Sequence, residues 1–172
     1  MAYAQKAKEI KVIYVGIDPG QKGAICAIDL DSGPTEVFDI PLVQDGRKTM
    51  QLDVPGFCRW LHKHGPNRVI IERQGPMPSD GVIPAFRLGL LYGQLRGVCD
   101  TLCIPISLVS PVTWKKWHAI GPDKEQGRQL ALKLYPQMGE LLRRKMDHNR
   151  GEAILIASWG ASHWRGLEAG TV

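Results

Sequence analysis

Nine residues near the start constrain this chain more than any other stretch: Val12-Ile13-Tyr14-Val15-Gly16-Ile17-Asp18-Pro19-Gly20. A run of β-branched and aromatic residues bounded by turn residues reads as a strand buried on both faces. It closes on a carboxylate, which is costly to bury unless something pairs with it. Pro19 and Gly20 end the strand sharply and leave Asp18 at its open edge. The plain alternative is an Asp that opens a turn by bonding to its own backbone. The remainder of the chain has to decide between a turn residue and a functional one.

The next segments predict two more strands, Ala24–Leu30 and Glu36–Pro41, joined by short turns into an antiparallel meander. Residues 44–51 are polar and read as a loop. Asp53 is a plausible N-cap for a helix over Val54–His64, stopped by Gly65-Pro66. Arg68–Arg73 then carries Val69-Ile70-Ile71-Glu72, a second buried strand that finishes in an acid. A crossover helix implies parallel pairing, most simply with the first strand. Asp18 and Glu72 would then stand side by side at the carboxyl edge of the sheet, where ligands of α/β folds gather.

After an irregular Pro/Gly-rich loop, Gln74–Gly81, a long helical pattern runs from Ile83 to about Cys103 with Gly89, Gly93 and Gly97 at spacing four. Each mid-helix Gly costs about 0.5–1 kcal/mol against Ala, so the stripe predicts close approach of another backbone, either the sheet or a second subunit, with the subunit seam favoured. Ile104–Ser110 is a fifth strand. Pro111 opens a segment with Trp114-Lys115-Lys116-Trp117, and Asp123 caps a basic amphipathic helix through Tyr135 that sets Lys124, Arg128 and Lys133 outward. The last helix begins near His148, and the tail beyond Trp164 reads as frayed. The chain thus divides into a loose basic arm (1–10), one domain (11–164) and a tail (165–172).

The 172 residues suffice for one domain with a real core. A balance of 22 Lys+Arg against 17 Asp+Glu, net +5, favours a polyanionic partner. Cys26, Cys58, Cys99 and Cys103 are dispersed and lack zinc-ligand spacing, as expected of small core hydrophobes in a reducing compartment. The first ten residues lack the apolar core of a signal peptide, and no apolar run approaches a membrane span. A cytoplasmic setting without membrane attachment is the expectation, with an organelle left open.

A third acidic group lies at the last helix. Asp147 and Glu152 are five apart and would diverge if both were helical, at about 100° per residue; they can converge if Asp147 sits just ahead of the helix. Each alone has a plain explanation, as an N-cap and as a first-turn acid favoured by the helix dipole. Together with Asp18 and Glu72 they would bring four negative charges to one pocket and raise one another's pKa values. Two divalent cations would neutralise them, and hard carboxylate oxygens suit Mg²⁺ or Mn²⁺. A pair of such ions activates water and stabilises the leaving oxygen in phosphodiester cleavage. His148 is a candidate for orienting a ligand or aiding proton transfer, or is simply a surface His at a helix start.

A meander ending in Asp, a strand ending in Glu and a late helix with paired acids resemble the RNase H-like nuclease fold: a five-stranded mixed sheet, three strands antiparallel and two parallel, flanked by helices. Within it the chain resembles the RuvC-type Holliday junction resolvases, most closely their phage-type and chloroplast branch. The likeness rests on Gly16-Ile17-Asp18-Pro19-Gly20 with Gly23-Ala24, Ile71-Glu72 followed by Met77-Pro78-Ser79-Asp80-Gly81, Gly89 with Tyr92-Gly93, Val109-Ser110-Pro111 with Trp114-Lys115, and Asp147-His148-Asn149-Arg150-Gly151-Glu152-Ala153. It covers about residues 11–162. It implies a homodimer that binds a four-way DNA junction, takes no small-molecule substrate, and nicks two opposed strands with two metal ions per site. Asp18, Glu72, Asp147 and Glu152 fall on the family's acidic positions; the five-residue spacing of the last two is that of the chloroplast branch, and Asn149 stands where bacterial members have an acid. Gly151, where relatives often have Ala, is a minor departure.

Candidate DNA contacts are Lys115, Lys116, Lys124, Arg128, Arg143, Arg144 and Lys145 for phosphates, with Met77 or Phe86 as a wedge against unstacked bases. Trp114 and Trp117 read as core or platform residues. The alternatives are a nuclease for other branched DNA or RNA, and a junction binder without activity. The Gly-Ile-Asp-Pro-Gly motif also resembles the phosphate loop of actin-like kinases, but those need two related domains that 172 residues do not supply.

Overall fold

A computed structural model of the chain describes residues 11–46, 49–75 and 81–168. Five strands form the main sheet: β1 (Ile13–Asp18), β2 (Ala24–Asp29), β3 (Gly33–Asp39), β6 (Arg68–Glu72) and β7 (Ile106–Val109). Their order is β3-β2-β1-β6-β7. The β1–β2 and β2–β3 pairs are antiparallel, and β6 runs parallel to both β1 and β7. The expected mixed sheet is what forms. The segment predicted as a loop over residues 44–51 instead carries a second, two-stranded sheet, β4 (Leu42–Asp45) paired with β5 (Thr49–Leu52). Its strands are only four residues each with Leu52 alone buried, so the short Thr49-Met50-Gln51-Leu52 alternation is too brief to mark a strand.

Helices cover both faces. On one side α1 (Val54–His64) and α2 (Val82–Thr101) lay Phe57, Trp60, Leu61, Leu91 and Leu95 against Val15, Ile17, Val69 and Ile71. The α1 boundaries agree with the predicted ones: Asp53 accepts a hydrogen bond from Gly56 N at 2.9 Å, and Gly65 closes the helix at φ 54°. On the other side α4 (Lys124–Leu134) and α5 (His148–Glu168) cover Tyr14, Cys26, Ile28 and Ile70. A short helix, α3 (Pro111–Trp117), follows β7, and two 3₁₀ segments, Pro136–Leu142 and Lys145–Asp147, lead from α4 into α5. The α5 helix extends to Glu168, into the tail expected to fray beyond Trp164. Among the described residues no helix is long and apolar enough to cross a membrane. All four cysteines are free thiols.

The close approach that sets the site lies between α5 and β1. A β-carbon at Gly16 would collide with the backbone of Ala153 and Ala157. Gly16 therefore lets α5 lie directly on the central strand, and Ala153 and Ala157 present only methyl groups to it. The α2 glycines do not work this way. A β-carbon at Gly89, Gly93 or Gly97 would meet no described atom within 4 Å, so that stripe does not pack on the sheet. Gly151, read as a minor departure, has a steric reason: a β-carbon there would stand 2.9 Å from Arg128 Cα, where α5 crosses α4.

Candidate active site

Side chains alternate across a strand, so Asp18 and Glu72 lie on the same face as Tyr14, Gly16 and Ile70, the face that α5 covers. Parallel register pairs Gly16 with Ile70 and Ile17 with Ile71, which brings the two terminal acids level at the carboxyl edge. Gly16 draws the first turns of α5 onto this edge, and Glu152 precedes Ala153 in that contact. Asp18, Glu72 and Glu152 are all buried, at 9%, 8% and 6% exposure. They line a cleft of about 330 Å³ together with Lys115, Lys124 and Asn149.

Each acid has its own partners. Glu72 accepts a hydrogen bond from Trp114 Nε1 at 2.8 Å on one oxygen and from Gln74 Nε2 at 2.8 Å on the other. Glu152 is ion-paired with Lys115, Nζ to Oε1 at 2.8 Å. Burial pushes the Asp18 carboxyl up to about 8, reinforced by the charges of Glu152 and Glu72 and opposed by Lys124 and Lys115. Glu72 is also raised, by burial first; the Trp114 bond opposes the rise, and the Glu152 charge adds to it. The lining sets three acids against three lysines, Lys22, Lys115 and Lys124, and burial makes Asp18 the acid whose charge they compensate least.

Asp147 is not part of this cluster. It sits just ahead of α5 as expected, but Arg144 takes both its oxygens: Arg144 Nη2 donates to Oδ1 at 2.9 Å and Arg144 N to Oδ2 at 2.8 Å. Arg150 approaches at 3.9 Å and is itself held by Asp39 through two bonds of 2.7 and 2.8 Å. Burial works against the Asp147 charge, but the Arg144 bonds outweigh it and hold the carboxyl below its usual range. The fourth place in the cleft goes to Asn149, which lies one helical turn before Glu152 on the same helix face and donates to the Lys22 carbonyl. Among the described residues no three Asp, Glu, His or Cys side chains are grouped closely enough to hold a metal ion, so Asp18, Glu72 and Glu152 share the cleft without closing on one point. The donor chemistry nevertheless suits a hard cation: carboxylate oxygens and an amide, no thiolate, and a buried acid whose proton a cation could replace. The Lys115 ammonium is the cation that Glu152 uses instead.

The other predicted site residues divide clearly. His148 does not line the cleft; its Nδ1 donates to Lys145 O at 3.0 Å. Lys115 and Lys124 belong to the cleft itself. Lys116, Arg143, Arg144 and Lys145 are exposed, with Arg144 committed to Asp147. Arg128, expected to face outward, is 7% exposed: its guanidinium donates to the Leu142 carbonyl, and its Nε to Glu125 at 2.9 Å. That corrects its assignment to DNA, since it ties α4 to the 3₁₀ segment that follows. Phe86 is 68% exposed on α2. Met77 lies outside the described residues.

Trp114, Gln74 and Asn149 were not singled out for the site. A fully buried Trp favours an acceptor for its N–H, and the adjacent Lys115 points to an acidic one.

Comparison with known proteins places this geometry. No family model matches the sequence. The chain is 30% identical over 122 residues, 69% of its length, to a chloroplastic Holliday junction resolvase, MOC1, of Chlamydomonas reinhardtii. It spans only 13% of that relative's length. Among solved structures, T. thermophilus RuvC in complex with a Holliday junction substrate matches with a TM-score of 0.56 at 18% identity, covering 93% of this chain and 97% of that one. The yeast mitochondrial Holliday junction resolvase Ydc2 matches at 0.53 and 15%, covering 94% and 85%. The fowlpox virus Holliday junction resolvase matches at 0.53 and 14%, covering 88% and 99%. The chain has the RuvC-type, RNase H-like fold over nearly its whole length, and the resemblance read from the sequence holds at that level.

Proposed function

We propose that this protein is a structure-selective DNA endonuclease that binds four-way junctions and resolves them by divalent-metal-dependent nicking of two opposed strands. The observation that carries this reading is the convergence of Asp18, Glu72 and Glu152 in one cleft, with Asp18 held protonated up to about pH 8. Two further findings support it: the relative and the fold neighbours named above are junction resolvases, and the net charge is +5.

Asp18, Glu72 and Glu152 would hold Mg²⁺ or Mn²⁺, two ions per site, with the Asn149 side chain beside them. Bound there, the ions would supply an activated water and charge neutralisation at the leaving oxygen. The chain's own side chains prepare the cleft. Trp114 and Gln74 fix both oxygens of Glu72, so that its orientation is set before any ligand arrives. Lys115 shields Glu152 in the metal-free protein, and it is a cation available to a DNA phosphate once released. Lys124 in the cleft and Lys116 in the groove beside it extend the positive charge around the acids.

Paired nicks require two cleft copies, and a homodimer through α2 suits this. Val82, Ile83 and Phe86 are 86%, 63% and 68% exposed on that helix, and Gly89, Gly93 and Gly97 leave open space along it for a second backbone. The rival reading, a junction binder without activity, has one observation in its favour: Asp147 is sequestered by Arg144 and only three acids reach the cleft. Competition between labelled four-way junction, linear duplex and RNA duplex in Mg²⁺ separates the cases. Preferential nicking of the junction is the expected result; equal cleavage of all three rejects the resolvase reading, and tight junction binding without cleavage favours the inactive binder.

A further inference from the structure

A second groove, of about 560 Å³, lies beside the acidic cleft and shares Pro111 and Lys115 with it. It runs between α3 and the turn that leads into α4. Pro111, Val112, Ala119, Ile120 and Pro122 give it apolar walls, and the charged side chains along it are Lys115 and Lys116. Val112 is 74% exposed, so the apolar wall faces solvent. The end of α3 folds back on itself, with Ala119 N donating to Lys116 O at 3.1 Å and Ile120 N to Lys115 O at 3.0 Å. This reversal puts Ala119 at φ 54°, the left-handed region that glycine fills without penalty. An alanine kept there carries backbone strain and contributes its methyl group to the groove wall.

We propose that this groove is a nucleoside subsite, taking the deoxyribose and base of a nucleotide adjacent to the one that is cut; the inference rests on the nuclease reading above. Three features select that occupant. The groove is continuous with the cleft through Pro111 and Lys115, so a strand with its phosphodiester among the acids continues along it. Its charge is complementary to such a strand: the exposed Lys116 for a phosphate, Lys115 once it leaves Glu152, and no acid in the lining to repel them. Its apolar walls match the sugar and base faces that a strand exposes where it leaves a stacked duplex.

The test uses four-way junctions carrying a single abasic residue at each position flanking the cut, cleaved by wild type, Val112→Ser and Ala119→Gly under single-turnover conditions. One abasic position should slow wild type about tenfold, the scale set by losing a contact of roughly one apolar side chain. Val112→Ser should slow cleavage of the intact junction and show no further loss at that same position, because the two changes remove one interaction. Ala119→Gly should raise the melting midpoint while slowing cleavage, a combination that damage to the fold does not produce. Equal abasic penalties in wild type and Val112→Ser would overturn the subsite, as would a Val112→Ser protein that loses self-association instead, which would make the groove a protein interface. A wild type that cuts no junction at all would remove the nuclease reading and the subsite with it.

Discussion

Replacing Asp18 by Asn should make the metal-free protein more stable, by an amount that grows with pH. Asp18 keeps its proton in the folded protein up to about pH 8, against 3.8 for an ordinary Asp. The unfolded chain therefore releases a proton that the folded chain retains, and stability falls as pH rises between those values. Below pH 3.8 both states are protonated, and above about 8 both are ionised, so the loss is confined to that window. At about 1.4 kcal/mol per unit, the difference is roughly 1–2 kcal/mol at pH 5 and about 4 kcal/mol at pH 7. Lys115 and Lys124 can move toward an ionised Asp18, which lowers the gain expected at pH 7 to about 2–4 kcal/mol. Asn has the shape of the protonated acid and carries none of this penalty. Urea unfolding in chelator at pH 5 and pH 7 measures it, and added Mg²⁺ should stabilise wild type but not Asp18→Asn. A mutant less stable than wild type at pH 7, or a gain that does not change between the two pH values, would refute the reasoning.

Binding of Mn²⁺ or Mg²⁺ at pH 7 should release close to one proton, that of Asp18, read by calorimetry in buffers of different ionisation enthalpy; zero release would count against Asp18 as a ligand. Gly16→Ala should cost more than about 2 kcal/mol, because the added methyl meets α5 backbone, which cannot rotate away; a melting midpoint within a degree of wild type would contradict the packing described. Trp114→Phe preserves an aromatic ring but deletes the donor to Glu72; it should destabilise by about 1–3 kcal/mol and weaken metal affinity, and unchanged affinity in a titration would show that Glu72 needs no such support.

Much of this arrangement was legible in the sequence because it follows from two strong local signals. Continuous apolar runs ending in Asp18 and Glu72 set strand identity, and the helix between them required parallel pairing, so both acids reached one edge. The position of Glu152 followed from the apolar run after it. What stayed hidden depends on which of several available partners a charged side chain takes. Sequence spacing alone does not choose Arg144, three residues before Asp147, over a metal ion as its partner, and it does not mark Arg128 as a buried strut on the Leu142 carbonyl. The β4–β5 hairpin was missed because its strands are four residues each and bury only Leu52 fully. The glycine rule was applied to the conspicuous α2 stripe, whereas the close contact uses a lone Gly16 against alanines more than a hundred residues away.

The most direct test of the central claim is strand-resolved cleavage of a four-way junction labelled in turn on each strand, in Mg²⁺, with Asp18→Asn alongside. The account predicts paired nicks at symmetric positions on two opposed strands with wild type, abolished by chelator, and junction binding without cleavage for Asp18→Asn. Cleavage that survives either the chelator or the substitution would contradict it.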